Sequence, residues 1–262
     1  MNKNIGKVLV VSSVKGGVGK TTTVLNLAGI YSLSGKKVLI IDLDLCAGGV
    51  ATLLNIDNKK DIYMLVDGIA NNRFTELSDY VISYNNNIDV LSSPIDPRNA
   101  NKIQSKYIPT ILNIAKYQYD VVLVDTNHIM NEISLTALDN SYNNLFIITN
   151  DLVDIKNMRN MLAIFKETGM KNYYILLNNS RDIGRDYISM YDIRSMIDGN
   201  VDFTILKHFY IKNIDKYVLN GEILTLNKTI TRFNSQDIIN MNKLARALIE
   251  EDNKVVQDGE EE

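Results

Sequence analysis

Short, continuous apolar runs recur along the chain, separated by longer stretches in which apolar residues return with helical spacing. Such runs are typical of strands buried on both faces of a sheet, and the periodic stretches are typical of helices packed against it. The predicted strands are Lys7–Val14, Val38–Ile41, Ile88–Leu91, Val121–Thr126, Asn144–Thr149, Tyr173–Leu177 and Phe203–Phe209. The predicted helices are Thr22–Leu33, Ile103–Tyr117, Asp154–Thr168, Ser189–Ile197 and Gln236–Glu250. This alternation predicts an α/β fold with a doubly wound, mostly parallel sheet and helices on both faces.

Local signals add shorter elements and boundaries to this pattern. The polar region after the second strand predicts two short helices, Ile62–Ile69 and Phe74–Ile82. Pro109 predicts a kink in its helix, because proline lacks the backbone N–H that the helix needs. Asp154 is the predicted N-cap of its helix, and Gly169 is the predicted end.

Composition predicts one large domain. With 262 residues, 45% of them hydrophobic, the chain can bury a substantial core, and we expect a single domain over residues 1–250. The polar and acidic end, residues 251–262, is predicted to be disordered. No run is apolar enough to span a bilayer and no signal-peptide pattern is present, so we expect a cytoplasmic protein. Cys46 is the only cysteine, which excludes an internal disulfide.

A glycine-rich loop between the first strand and the first helix predicts a phosphate site. Its glycines let successive backbone N–H groups converge on an anion, and the helix that follows adds the positive end of its dipole. Lys20 would reach the β- and γ-phosphates of a nucleotide, and the Thr21 hydroxyl would bind Mg²⁺. The candidate nucleotide-binding residues here are Lys15, Gly16, Gly17, Val18, Gly19, Lys20, Thr21 and Thr22.

Carboxylates follow two of the predicted strands. Asp42 and Asp44 come at the end of the second strand, and Asp125 ends the strand that begins at Val121. In an open α/β sheet ligands bind at the carboxyl ends of the strands, so these acids and the glycine loop are expected at one edge. Thr21, Asp42 and Asp125 are the candidate Mg²⁺ ligands. A solvated turn after the strand is the alternative for Asp42 and Asp44.

The loop sequence Lys-Gly-Gly-Val-Gly-Lys-Thr-Thr, residues 15–22, resembles the deviant Walker A motif of the ParA/MinD family of ATPases, and Val14 takes the place of the usual first glycine. The resemblance implies a P-loop NTPase fold, ATP and Mg²⁺ as cofactors, slow hydrolysis and a homodimer formed with ATP. It implies catalytic roles for Lys15, Lys20 and Asp44, with Asp44 lying in switch I. Lys15 would reach the partner's phosphates; neutralising the phosphates of its own subunit is the alternative. It also implies that Asn178 binds adenine; a turn-capping amide is the alternative.

Two further stretches resemble the TadZ/CpaE branch of this family, which serves pilus assembly. They are the switch I stretch Asp42–Leu54 and the region that contains His128, Asn131 and Glu132. The resemblance implies a protein partner in a positioning, pilus or secretion assembly system, with recruitment to the inner membrane face or cell pole through partners. After the Walker B pair Asp125-Thr126 the family often continues with Pro-Pro-Gly, whereas this chain has Asn127-His128.

Other functions within the same family stay open. A DNA-partition ATPase would need a local basic surface, because the net charge of −3 gives no overall basic field. The residues available for one are Arg181, Arg185, Arg194, Lys207, Lys212, Lys216 and Lys228. A non-hydrolysing ATP-bound scaffold is a further alternative, whereas an iron–sulfur carrier would need paired cysteines. The acidic end of the chain disfavours a MinD-type membrane helix.

Overall fold

Eight strands form one sheet within the part of the chain that the structure describes. The computed structural model describes residues 5–179, 188–206 and 214–250. The strands are β1 (Lys7–Ser12), β2 (Val38–Asp42), β3 (Ile82–Asn85), β4 (Ile88–Leu91), β5 (Val121–Asp125), β6 (Asn143–Ile148), β7 (Tyr173–Asn178) and β8 (Phe203–Ile205). They lie in the order β3-β4-β2-β5-β1-β6-β7-β8. All neighbouring pairs are parallel except β3 with β4, which is antiparallel. The predicted doubly wound, mostly parallel sheet is therefore confirmed.

Helices cover both faces of the sheet, because alternate residues of each strand point to opposite sides. Along β1, Val8 and Val10 belong to one apolar core, and Leu9 and Val11 belong to the other. The first core is closed by residues of α3 (Ile62–Ala70), α4 (Ile108–Lys116), α5 (Glu132–Asp139), α6 (Leu152–Thr168) and α7 (Met190–Ile197). The second is closed by residues of α1 (Lys20–Leu33), α2 (Val50–Leu53), α9 (Lys228–Phe233) and α10 (Ser235–Ile249). A further helix, α8, spans Ile214–Leu219.

Three local predictions are wrong. The stretch Phe74–Ile82 is not a helix: only Leu77–Asp79 forms a 3₁₀ turn, and Ile82 begins β3, where pairing with β4 replaces helical hydrogen bonds. Pro109 does not kink a helix, since it lies in the first turn of α4, where its missing N–H has no cost. The N-cap of α6 is Asp151, not Asp154, because the Asp151 carboxylate accepts from the N–H groups of Val153 and Asp154.

Other predictions of the C-terminal third meet the structure only in part. The strand predicted from Phe203 ends at Ile205, and residues 207–209 of that prediction lie outside the described residues. The acidic tail, residues 251–262, also lies outside them. Gly169 ends α6 in the left-handed conformation, as predicted. Within the three described ranges, no helix is long and apolar enough to cross a membrane.

Helix α10 packs on α1, the helix that follows the glycine loop. Tyr31 of α1 is buried, and its hydroxyl donates a 2.7 Å hydrogen bond to the Ala245 carbonyl of α10. Met241, Leu244 and Leu248 are buried in the same core. The C-terminal segment therefore supports the element that positions the loop.

We expect Tyr31→Phe to lower the free energy of unfolding by about 1–2 kcal/mol, because it removes one buried hydrogen bond and leaves the packing of the ring in place. Tyr191→Phe is the control, since Tyr191 is an exposed tyrosine and should change stability by less than about 0.5 kcal/mol. Urea unfolding followed by circular dichroism measures both. Equal stability of the two variants would contradict the role given to the Tyr31 hydroxyl.

Candidate functional site

The glycine loop has the backbone conformation that its sequence predicts. β1 ends at Ser12 and α1 begins at Lys20, so the loop lies between the central strand and its helix. Gly17 and Gly19 have φ angles of 75° and 98°, in the left-handed region that side chains rarely allow. Gly19 is the N-cap of α1 and has no side chain to cap it. The first N–H groups of α1 therefore face the loop, as an anion site requires.

Lys20 lies inside its own loop. It is buried, and its Nζ donates a 3.0 Å hydrogen bond to the Ser13 hydroxyl, which in turn donates to the Lys15 carbonyl at 2.7 Å. Burial lowers the pKa of Lys20, and the nearby Asp125 carboxylate opposes that effect. Ser13 was not among the predicted site residues, because the strand predicted there, Lys7–Val14, includes it, whereas the observed strand ends at Ser12. The Ser13 hydroxyl holds the ammonium group of Lys20 in the loop, and the phosphate oxygens of a bound nucleotide would take the place of that hydroxyl.

Thr21 and Asp125 form the candidate metal site. The Thr21 hydroxyl donates a 2.6 Å hydrogen bond to Oδ2 of Asp125. The second carboxylate oxygen, Oδ1, is buried and has no hydrogen-bond partner among the residues that the structure describes. A hydroxyl and a carboxylate with an uncompensated oxygen suit Mg²⁺, which prefers hard oxygen ligands. The residues present therefore fit the predicted cofactor.

Asp42 lies beside Asp125 because β2 and β5 pair in parallel with these two residues in register. Its carboxylate accepts from the backbone N–H groups of Asp44 at 3.1 Å and Val50 at 3.2 Å. A Cβ on Gly48 would lie 2.6 Å from Oδ2 of Asp42, so only glycine fits there. Asp42 thus connects the switch I segment to the sheet edge, and its role as a Mg²⁺ ligand stays a prediction.

Burial controls the charge of these two acids. It raises the pKa of Asp42, and the neighbouring Asp125 carboxylate raises it further. Burial also raises the pKa of Asp125, against the opposing effects of the Thr21 hydrogen bond and the Lys20 charge. A divalent cation would relieve both effects by pairing with the charged carboxylates.

Asp44, the predicted hydrolytic residue, contacts the loop after β5. Its Oδ1 accepts a 3.0 Å hydrogen bond from Nδ2 of Asn127. The next residue, His128, lies against the glycine loop, since a Cβ on Gly16 would be 3.5 Å from its Nδ1. The loop after β5 therefore touches both switch I and the glycine loop.

Lys15 forms an ion pair with Asp151, the N-cap of α6. Its Nζ lies 3.1 Å from Oδ1 of Asp151, and the two side chains are 40% and 42% exposed. The N–H of Asp154 and then the Lys15 contact lower the pKa of Asp151. Asp151 was missed because nothing in the local sequence links it to a residue far earlier in the chain.

Asn178 forms a hydrogen bond with the backbone of the glycine loop. It is buried at the end of β7, and its Nδ2 donates a 2.8 Å hydrogen bond to the Val18 carbonyl. A Cβ on Gly19 would lie 2.7 Å from the same Nδ2. The adenine role of Asn178 stays a prediction, and the observed contact is with the loop backbone. Thr22 is half-buried in the first turn of α1.

The domain-family model described as "AAA domain", AAA_31, matches residues 6–180, which include every residue of the candidate site. The chain belongs to this family, and it is a P-loop ATPase of the ParA/MinD type.

Two relatives can be aligned with this chain over most of its length. The chromosome-partitioning ATPase Soj of Treponema pallidum is 27% identical over 212 residues, covering 78% of this chain and 79% of the relative. The Soj of Thermus thermophilus is 26% identical over 203 residues, covering 77% and 76%.

Solved structures of the family share the fold. A ParA family ATPase from Chlorobium tepidum superposes with a TM-score of 0.75 at 18% identity, covering 91% of this chain and 98% of that one. The septum site-determining protein MinD of Pyrococcus horikoshii, complexed with Mg-ADP, gives 0.74 at 18% identity, covering 93% and 96%. A MinC:MinD complex from Aquifex aeolicus gives 0.70 at 21% identity, covering 92% and 96%.

The paired buried acids predict how the stability of the free protein depends on pH. Because the folded state raises the pKa of Asp42 and Asp125, it holds protons that the unfolded chain has released. The free energy of unfolding should therefore fall as pH rises from about 4, the ordinary pKa of aspartate, through the raised values. Asp125→Asn should flatten this fall and increase the free energy of unfolding by about 1 kcal/mol or more at pH 8.

Urea unfolding at several pH values, in buffer without nucleotide or Mg²⁺, measures this dependence. Asp139→Asn is the control, because Asp139 is exposed on α5 and its replacement should leave the wild-type slope. If Asp125→Asn lost stability with pH as steeply as the wild type, the account of the buried acids would be wrong.

Proposed function

We propose that this protein binds Mg·ATP, hydrolyses it slowly, and forms an ATP-dependent homodimer that acts as a switch in spatial positioning or assembly. The contrast between the two loop lysines carries the proposal. Lys20 is buried within its own loop, whereas Lys15 is half-exposed and paired with Asp151. A lysine in that place is able to cross to a second subunit, as the deviant Walker A resemblance implies.

An apolar rim beside the loop supports a dimer at this edge. Leu152 and Val153, which follow Asp151, are 64% and 63% exposed, and Ile129, which follows His128, is 57% exposed. Exposed apolar side chains close to a ligand site are typical of a surface that is covered in another state. A second copy placed here would cover them and exclude water from both nucleotides, which would strengthen the pull of Lys15 on phosphate.

Six site residues have a part in the proposed reaction, in which ATP and water give ADP and phosphate. Lys20 and the first N–H groups of α1 hold the phosphates, and Thr21 and Asp125 would hold Mg²⁺, which neutralises developing charge on the phosphoryl group. Asp42 keeps switch I against the sheet edge. Asp44 orients the attacking water, and Lys15 of the opposite subunit stabilises the charge that develops in the transition state.

The biological setting is a narrower part of the proposal. Switch I resembles the TadZ/CpaE branch, so we favour a pilus or secretion assembly partner, with recruitment to a membrane or pole through that partner. The MinC:MinD complex of Aquifex aeolicus supports a protein partner for a chain of this fold. DNA partition is the second candidate, favoured by the Soj relatives. Of the basic residues that it would use, Arg194, Lys216 and Lys228 are exposed, and Arg181, Arg185, Lys207 and Lys212 lie outside the described residues.

Lys15→Ala tests the switch directly. We expect the variant to bind ATP within about threefold of the wild type, because Lys20 and the helix N-terminus remain. It should stay monomeric with a non-hydrolysable ATP analogue and should lose most of its turnover, because the charge supplied to the partner is gone. Size exclusion with light scattering, with ADP and with the analogue, measures dimerisation.

Lys166→Ala is the matched control, since Lys166 also forms a surface ion pair, with Asp198 at 2.9 Å, at the far end of α6. It should dimerise as the wild type does. Analogue-dependent dimers of Lys15→Ala would remove the cross-subunit role and leave a plain nucleotide-binding domain.

The two central side chains should separate binding from chemistry. Lys20→Ala should abolish measurable ATP binding by calorimetry, since it removes the charge that meets the β- and γ-phosphates.

Asp44→Ala should bind ATP normally, keep the dimer and slow turnover by about 10²-fold, the effect typical of losing a water-orienting group. Normal ATP binding by Lys20→Ala, or normal turnover by Asp44→Ala, would show that the corresponding role is misassigned.

A further inference from the structure

The loop after β5 carries an amide where the family often has proline. Asn127 follows the Walker B pair Asp125-Thr126 and is half-buried. Its side chain connects this loop to switch I, because its Nδ2 donates to Oδ1 of Asp44 at 3.0 Å. A proline at this position has no side-chain donor and could not make the contact.

A second hydrogen bond fixes the orientation of the amide. The Asn127 Oδ1 accepts from the backbone N–H of Ile129 at 3.1 Å. A backbone N–H can meet only the oxygen of the amide, so the NH₂ group is the part that faces Asp44. A donor aimed at an ionised carboxylate makes a charge-assisted hydrogen bond, stronger than one between neutral groups.

Both ends of this contact are fixed to the sheet. On one side, the hydroxyl of Thr126 donates to the Val11 carbonyl of β1 at 2.9 Å. On the other side, the N–H of Asp44 donates to Asp42, which is buried at the end of β2. The amide of Asn127 therefore joins two anchored segments, and its hydrogen bond sets the direction of the Asp44 carboxylate.

From this geometry we infer that Asn127 is a positioning residue for ATP hydrolysis, which holds Oδ1 of Asp44 so that Oδ2 is presented to the attacking water. The inference rests on the proposed function, and it adds a residue that acts on the water-orienting group and not on the nucleotide. Fixing a catalytic group before the reaction removes the cost of orienting it in the transition state. The Asn127–Asp44 hydrogen bond should therefore affect the turnover rate and leave ATP binding unchanged.

Asn127→Ala should lower kcat by about tenfold or more and leave the KM for ATP within about twofold, as expected for the loss of one charge-assisted hydrogen bond made to the catalytic group. Asn127→Asp should be at least as slow. It keeps an acceptor for the N–H of Ile129 but places one carboxylate against another.

A double-mutant cycle distinguishes positioning from a general structural role. In an Asp44→Ala background, Asn127→Ala should change kcat by less than about twofold, because the group on which it acts is already gone. Asn71→Ala is the matched control. Asn71 makes the same amide-to-carboxylate contact, with Asp67 at 2.8 Å, on an exposed helix end, and its loss should leave kcat unchanged.

Steady-state turnover of the full chain, with ATP binding measured in parallel, gives three distinct outcomes. A tenfold loss that disappears in the Asp44→Ala background supports the inference. Wild-type turnover by Asn127→Ala, or a loss that multiplies with that of Asp44→Ala, overturns the inference and leaves the proposed function intact. A wild-type protein that binds Mg·ATP without any turnover removes the hydrolytic part of the proposed function, and the positioning role is overturned with it.

Discussion

The site depends on the parallel pairing of β5 with both β1 and β2. That pairing sets Asp125 beside Val11 on one side and beside Asp42 on the other. Parallel strands all end at the same edge of the sheet. The backbone hydrogen bonds of the sheet therefore bring together the glycine loop, Asp125 and switch I, before these segments contact one another. The same register forces two carboxylates into a buried position, so the sheet that builds the site also creates its unfavourable charge.

Contacts of the residues around the site fix the final positions of the side chains and loops that the sheet brings together. Ser13 holds Lys20, Asn178 holds the backbone of the glycine loop, and Gly48 lets switch I close over Asp42. Each is a small or polar residue that touches a backbone or a charged group directly. The chemistry of the site therefore depends on a layer of contacts around the motif as much as on the motif itself.

Much of this arrangement could be predicted from the sequence, for identifiable reasons. The strands at the centre of the sheet are apolar on both faces, so their pattern is strong, and the glycine loop has few uses other than binding phosphate. The helix predicted at Phe74–Ile82 failed because pairing with β4, a tertiary contact, outweighed a weak local preference. Asp151 and Asn127 were missed as site residues because their partners, Lys15 and Asp44, are far away in sequence.

The contact between Tyr31 and Ala245 has a consequence for synthesis. It joins residues 214 positions apart, and β1 pairs with strands that begin only at Val121 and Asn143. An earlier segment of the chain is thus completed by later segments, and contacts of such separation form slowly. During translation the apolar faces of β1 and α1 stay exposed until these later segments have been made, and in that interval a nascent protein is open to chaperones and to aggregation.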